Sequence, residues 1–182
     1  SRHRSLLAPD GAVELSFRPE GSEQGTPFDT QPTDLRQEER GGLISWTWEE
    51  GLELRLDLLQ RSGSQAWLRR VHPAAVSWMA ASQQYQWEDG DMAAIGGWRR
   101  LAGIEIDWSR ISDRGMESIA EMKSLQHLDA SWTGLRSQSA LSISRLGNLR
   151  HLNLWAVSLD PEAIGMLRAL SELEHLNLRK HG

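Results

Sequence analysis

The chain has 182 residues, of which 39% are hydrophobic and 25% charged, the ordinary balance of one or two globular domains. Its net charge of −5 argues against nucleic acid as a partner, because binding to phosphates requires clustered lysine and arginine. Cysteine is absent, which excludes disulfides, thiolate nucleophiles and cysteine-based zinc sites, and no apolar run reaches the roughly 18 residues of a membrane helix.

Residues 1–42 predict one strand followed by a linker. Val13, Leu15 and Phe17 alternate with polar residues, the pattern of a half-buried strand. Residues 21–42 are rich in Gly, Pro, Gln, Glu and Thr, which predicts a long loop or a partly disordered linker. The chain begins at Ser1 rather than Met, so we expect an N-terminus that is processed, truncated or preceded by further sequence, and a signal peptide or membrane anchor there is left open.

Residues 43–100 predict a β-rich cap. Alternating apolar residues on either side of Glu50-Gly51 predict a β-hairpin over residues 43–58. In the alternative interpretation, Leu56 and Leu58 form the strand of a degenerate repeat. A second degenerate unit follows, in which Ala80 and Ser82 occupy the positions expected to carry strand leucines. Terminal repeats are atypical, so we expect these segments to close the N-terminal end of the repeats in residues 101–182.

Residues 101–182 repeat themselves at an interval of 24 residues. The columns are Leu101, Leu125, Leu149 and Leu173; Ile104, Leu128, Leu152 and Leu176; and Ile106, Ala130, Leu154 and Leu178. Each unit predicts a short strand and then a helix, whose N-caps we assign to Asp113, Ser137 and Asp160. One strand and one helix cannot bury both of their faces alone, so the units must stack.

The unit L-x-x-L-x-L-x-x-T-x-I resembles the leucine-rich repeat family, and within it the bacterial type with the consensus LxxLxLxxTxIxDxGLxxLxxL. Ser109 and Thr133 match the threonine column, and Asp113 with Gly115 matches D-x-G. The resemblance implies an α/β leucine-rich repeat solenoid, with parallel strands on the concave face and helices on the convex face. It also implies a binding scaffold without an enzymatic activity or a cofactor.

Strand residues that point away from the core predict three rows of side chains on the concave face. Those we assign to partner binding are Glu105, Asp107, His127, Asp129, His151, Asn153, Trp155, His175, Asn177 and Arg179. Neighbours in a row are expected to stand about 4.8 Å apart. Stacked imidazoles should disfavour each other's protonation, so we expect histidine pKa values below the free value.

Three stacked histidines beside Asp129 also suggest a metal, since imidazole and carboxylate suit Zn²⁺ or Ni²⁺. Side chains on a flat face converge poorly, and we therefore predict no metal site. Trp108 and Trp132, two of nine tryptophans, form a predicted aromatic rim just beyond the strand ends. Such a rim is either partly buried against the loops or anchors a partner.

The sequence favours a non-enzymatic protein-interaction module, an accessory or scaffold subunit of a larger assembly. We expect its partner to be another subunit or a second copy, bound through the concave face and the C-terminal edge, where no helix is expected to cover Leu176 and Leu178. The alternative is a carbohydrate-binding or envelope-associated module that uses the tryptophans; a metal-dependent hydrolase ranks last. The compartment is left open between the bacterial cytoplasm and the periplasm or membrane.

Overall fold

The structure is a computed structural model that describes residues 3–9, 12–23, 27–28, 35–40, 43–49, 51–59, 65–81 and 87–179. The strands are β1 (His3–Pro9), β2 (Val13–Pro19), β3 (Arg36–Arg40), β4 (Leu43–Glu49), β5 (Leu52–Leu58), β6 (Trp78–Ala81), β7 (Gly103–Glu105), β8 (His127–Asp129), β9 (His151–Asn153) and β10 (His175–Asn177). The α-helices are α1 (Asp89–Ile95), α2 (Asp113–Glu117), α3 (Ser139–Ile143) and α4 (Pro161–Met166), and 3₁₀ helices span Gln65–Arg70 and Leu167–Ala169. In this part of the chain no helix is long and apolar enough to cross a membrane.

The predicted repeats form a parallel sheet in which each strand pairs with the strand of the next repeat. The larger sheet has the order β2-β5-β6-β7-β8-β9-β10, with β5 to β10 parallel and β2 antiparallel to β5. Leu128 pairs with Ile104 on one side and with Leu152 on the other, so the register advances by one 24-residue unit per strand. The expectation of a mixed α/β fold with a parallel sheet is confirmed.

The apolar columns of the repeats fill one continuous core, which extends from Leu6 to Leu170. Ile104, Leu128 and Leu152 on the strands are buried, and so are the helix residues that face them. Each strand of β7 to β10 has only three residues and therefore makes few ladder hydrogen bonds. The main stabilisation of the repeats comes from the apolar core, at about 25 cal/mol per Å² of buried surface.

Two of the three predicted helix N-caps have a different role. Asp160 caps α4 as predicted, but Ser112 caps α2, and Gln138 precedes α3 without a side-chain cap. Asp113 and Ser137 instead belong, together with Asp89, to a column of residues spaced 24 apart. Their side chains accept hydrogen bonds from the backbone of the following repeat. These hydrogen bonds run from Ser112 N to Asp89 at 2.8 Å, from Arg136 N to Asp113 at 2.8 Å and from Asp160 N to Ser137 at 3.0 Å. These polar residues hold one repeat to the next.

The hairpin predicted over residues 43–58 is wrong. β4 lies between β1 and β3 in a three-stranded antiparallel sheet, whereas β5 joins the larger sheet. The alternative interpretation is correct for the strand, because Leu56 pairs in parallel with Met79 of β6. Leu54, Leu56 and Leu58 are fully buried, and the larger sheet gives them the same apolar cover as the strands of the repeats.

Other features of the N-terminal half also differ from expectation. The predicted linker contains β3, whereas residues 24–26, 29–34 and 41–42 lie outside the described residues. Met79, rather than Ala80, pairs with Ile104, and Ser82 is outside the described part. The larger sheet crosses both predicted domain boundaries, at 42/43 and 100/101, which remain predictions, as does the capping role of this region.

Candidate functional site

The predicted binding residues lie along β7 to β10 and just beyond the ends of these strands. β7, β8 and β9 bury their central residue, whereas Leu176 at the centre of β10 is exposed. The flanking residues of all four strands are partly or fully exposed, apart from Gly103 at the start of β7. We call the solvent-facing side of β5 to β10 the open face. Register places His127, His151 and His175 in one row and Glu105, Asp129, Asn153 and Asn177 in a second row. Asp107, Trp155 and Arg179 are exposed two residues beyond the second row.

The histidine row is longer than the sequence predicts, because an indole extends it. Trp78 on β6 lies 4.9 Å from His127, ring centroid to ring centroid. The row continues over 5.7 Å from His127 to His151 and over 4.5 Å from His151 to His175, whose rings are stacked at 18°. The 24-residue interval does not predict Trp78 as a member of the row, because the register partners on β6 and β7 are 25 residues apart.

Burial is the main cause of the titration behaviour of this row. It lowers the pKa values of His127 and His151 from their ordinary value. The positive charge of the neighbouring imidazole lowers these pKa values further. The sequence predicts this repulsion between histidines, but its contribution is smaller than that of burial. Glu105 and Asp129 oppose the shift at His127. Both imidazoles are therefore predominantly neutral at pH 7.

Glu105 is engaged by two other residues of the open face. Arg55 Nη1 and Nη2 donate to the two Glu105 carboxylate oxygens, each at 2.9 Å, and Trp78 Nε1 donates to Oε1 at 2.8 Å. Arg55 Nε also donates to Asp57. Burial disfavours the charged guanidinium, but these carboxylates outweigh it and raise the pKa of Arg55. Glu105 thus joins β7 to β5 and is less available to a partner than its exposure suggests.

The other members of the second row bind the backbone two residues further along the chain. Asp129, Asn153 and Asn177 accept hydrogen bonds from the N–H of residues 131, 155 and 179, at 3.0, 3.1 and 3.2 Å. Asn153 Nδ2 also donates to Asp129 Oδ2 at 2.8 Å. These side chains shape the turn after each strand, so only part of their hydrogen-bonding capacity remains for a ligand.

Asp107 is the exposed acid of the open face. Within the described residues no cation pairs with it, and burial together with the charges of Asp129 and Glu105 raises its pKa. A raised carboxyl pKa means that the local field disfavours the anion. A cation placed beside Asp107 would relieve that repulsion.

The predicted aromatic rim of Trp108 and Trp132 is joined in the structure by a third indole, that of Trp155. Trp108 and Trp132 stack at 4.5 Å and 9°, and the edge of Trp155 contacts Trp132 at 5.5 Å and 79°. Trp108 is 61% exposed and Trp155 40% exposed. Trp155 is one residue out of phase with the other two, yet its ring completes the same strip. We use the term rim for these three residues.

The backbone at the rim is left-handed in three successive repeats. Trp108, Trp132 and Ala156 have φ values of 53°, 52° and 63°. Their N–H groups donate to carbonyls of the next repeat, at residues 131, 155 and 179, so the turn itself requires this conformation. Glycine would adopt it freely, whereas an L side chain costs about 1–2 kcal/mol.

A cleft of about 580 Å³ adjoins the row at its β2 end. Arg18, Phe28, Arg55 and Trp78 contribute to its walls. The Arg18 guanidinium lies 4.1 Å above the Phe28 ring, so the protein's own cation occupies that aromatic surface. Arg55 of the open face, and Arg18 and Phe28 beside it, could not be found from the sequence, since they belong to no repeat column.

No model of a known protein family matches the chain, and no curated protein matches it either. Among solved structures, an internalin from Listeria monocytogenes strain 4b F2365 aligns with a TM-score of 0.46 and 15% sequence identity. The alignment covers 68% of this chain and 42% of that chain, so this protein spans less than half of the length of the internalin.

Proposed function

We propose that the chain is a protein-interaction module, an accessory or scaffold subunit that binds a basic segment of its partner along the open face and the rim. The contact residues in this proposal are Glu105, Asp107, Trp108, His127, Asp129, Trp132, His151, Asn153, Trp155, His175, Asn177 and Arg179. The observation that carries it is the rim, where Trp108 and Trp132 have a strained backbone and the side chains of Trp108 and Trp155 are exposed.

The rim is costly to the free protein in two ways. Trp108 and Trp132 adopt a left-handed backbone that glycine would adopt without strain, and Ala156 shows that the turn does not require an indole. Trp108 in addition remains 61% exposed to water. A partner that buries this ring would recover the apolar transfer energy, and tryptophan is the residue most enriched among interface hot spots.

Charge supports a basic partner segment. Asp107 precedes Trp108 directly, and its carboxylate stands in the field of Asp129 and Glu105. A lysine or arginine of the partner would pair with Asp107 while its aliphatic part lies against Trp108. The net charge of −5 favours encounter with a basic segment as well.

The arrangement of the indoles favours a protein over a sugar. Sugar rings bind to free aromatic faces, but the facing surfaces of Trp108 and Trp132 are closed by their mutual stacking. Trp155 presents its edge to Trp132 rather than a coplanar platform. We therefore favour a protein partner over a carbohydrate, and a glycan array distinguishes the two.

The C-terminal edge supports a second contact with the same partner, by addition of a strand. In the described part of the chain β10 pairs with β9 alone, and Leu176 at its centre is 45% exposed. Backbone groups of an edge strand can pair with an added strand, and the side chain of Leu176 offers it an apolar contact.

Site-specific crosslinking tests the proposal. A photoreactive amino acid replaces Trp108 in one variant and Leu141, an exposed residue of α3, in another. A protein captured from position 108 and not from position 141 is purified, and its affinity is measured for the Trp108→Ala, Asp107→Asn and Leu141→Ala variants. We expect at least a tenfold loss for the first, a smaller and salt-dependent loss for the second and less than a twofold change for the third.

If all three variants bound the captured protein with the affinity of the unmodified chain, the proposed interface would be refuted. A glycan array serves as the second arm. Glycan binding that Trp108→Ala abolishes, in the absence of a protein captured at position 108, would replace the proposal by the carbohydrate-binding alternative.

A further inference from the structure

His151 and His175 offer two imidazoles at the end of the histidine row that faces β10. They are register partners on adjacent parallel strands, and their rings stack at 4.5 Å. Within the described residues neither ring makes a hydrogen bond, in contrast to Glu105 and Asp129 in the neighbouring row. Ring nitrogens of both therefore remain available as ligands.

A carboxylate completes the cluster. One ligand atom each from His151, Glu174 and His175 lies within 4.8 Å of the others. Glu174 directly precedes His175, and its oxygen accepts from Arg150 Nη1 at 3.1 Å. Both partners of this ion pair are about half exposed, so its loss costs little, roughly 0–1 kcal/mol being typical of such pairs.

We infer that His151, Glu174 and His175 form a binding site for a borderline divalent cation, Zn²⁺ or Ni²⁺, in contrast to the sequence-based prediction of no metal site, which considered the histidine row and Asp129 but not Glu174. Two imidazoles and a carboxylate without a thiolate suit these ions, whereas Mg²⁺ and Ca²⁺ prefer oxygen ligands alone. In tetrahedral coordination of Zn²⁺, three protein ligands leave one position for water. Both histidines also line a cleft of about 400 Å³ on the open face, which gives that water room.

Binding requires only movement of side chains. Tetrahedral coordination at about 2.0–2.1 Å places ligand atoms about 3.3 Å apart. The ligand atoms of the three residues lie within 4.8 Å of one another, so they must approach by at most about 1.5 Å. Glu174 and His175 are exposed, and rotation about their side-chain bonds achieves this without displacement of the strands.

Calorimetric titration of the tag-free, metal-free protein with Zn²⁺ and Ni²⁺ tests the site, with Mg²⁺ as a comparison ion. The full chain binds one Zn²⁺ or Ni²⁺, and saturation raises the unfolding temperature in proportion to the logarithm of free metal. His175→Ala, His151→Ala and Glu174→Gln each weaken binding at least tenfold. His72→Ala and Glu172→Gln, exposed residues of the same types elsewhere, change the affinity less than twofold.

His127→Ala separates this site from the rest of the row. It leaves the three ligands intact, so we expect an unchanged Kd. No binding by the wild-type protein, equal binding by His175→Ala and Glu174→Gln, or loss of affinity in His127→Ala or His72→Ala overturns the assignment. Circular dichroism establishes that each variant is folded. Failure of the metal site leaves the protein-binding proposal unaffected, since that proposal rests on the rim.

Discussion

The indole of Trp78 lies across Gly103, its register partner on the adjacent strand. A methyl group at position 103 would overlap three atoms of the ring. This explains why glycine occupies the position at which the later repeats carry histidine. The absence of a side chain lets Trp78 reach both His127 and the Glu105 carboxylate, so the row extends from β6 to β10.

Gly103→Ala is therefore expected to destabilise the protein. The new methyl group forces Trp78 away from β7 and breaks its hydrogen bond to Glu105, and overpacking of this kind costs about 1–3 kcal/mol. Urea denaturation measures the loss. Gly90→Ala is the matched control, because Gly90 lies in α1 with open space around its Cα, and alanine there should be neutral or stabilising by up to about 1 kcal/mol. Equal effects of the two substitutions would contradict the packing described for Trp78.

Leu152→Asp is expected to unfold the repeats. Leu152 is 2% exposed and belongs to the core, and its register partners are the buried Leu128 and the partly covered Leu176. An unpaired buried carboxylate costs more than about 4 kcal/mol, a large share of a typical domain's stability. Leu141→Asp, on an exposed residue of α3, should change the unfolding free energy by less than about 1 kcal/mol. Thermal denaturation followed by circular dichroism compares the two, and a wild-type melting curve for Leu152→Asp would show that the register is wrong.

The repeats were predictable because one interval recurs in several columns. Burial selects apolar side chains at the same place in every unit, so Leu128, Leu152 and Leu176 show the register directly. The rows of the open face follow from it, since side chains alternate along a strand. The exposed rim was predictable in position from Trp108 and Trp132, but its left-handed backbone was not, since no glycine marks it.

Relations between non-equivalent repeats could not be predicted. The step from β6 to β7 is one residue longer than the repeat, so the interval indicates Ala80 where Met79 is the residue in register. β4 and β5 belong to different sheets, although both show alternating apolar residues. Alternation predicts a strand with one buried face, but it does not determine which neighbouring strand it pairs with. The bond from Arg55 to Glu105 joins residues that no common column contains.

The stability of the protein should depend on the titration of His127. Its pKa is lowered in the folded state, by burial first and by the charges of His151 and Arg55, with Glu105 and Asp129 opposing. The unfolded chain thus binds more protons, so stability is fully present above the unfolded pKa of about 6.5 and is lost as the pH falls through the folded pKa. NMR titration of metal-free protein and urea denaturation between pH 5 and pH 8, a range set by the unfolded value, should show this sign. His127→Gln should flatten the dependence, and a folded pKa above the free value would contradict it.

The strain at the rim can be measured by comparing two substitutions of Trp108. Both Trp108→Ala and Trp108→Gly remove the stacking on Trp132, but only glycine adopts φ = 53° without a steric cost. We expect the glycine variant to be more stable than the alanine variant by about 0.5–1 kcal/mol, because the strain relieved exceeds the extra entropy of the unfolded glycine chain. In α3 the order should reverse, with Leu141→Ala more stable than Leu141→Gly by about 1 kcal/mol. Urea denaturation of the four variants gives both differences. The same order at both sites would mean that the rim is unstrained, and would remove the strain argument for its role in binding.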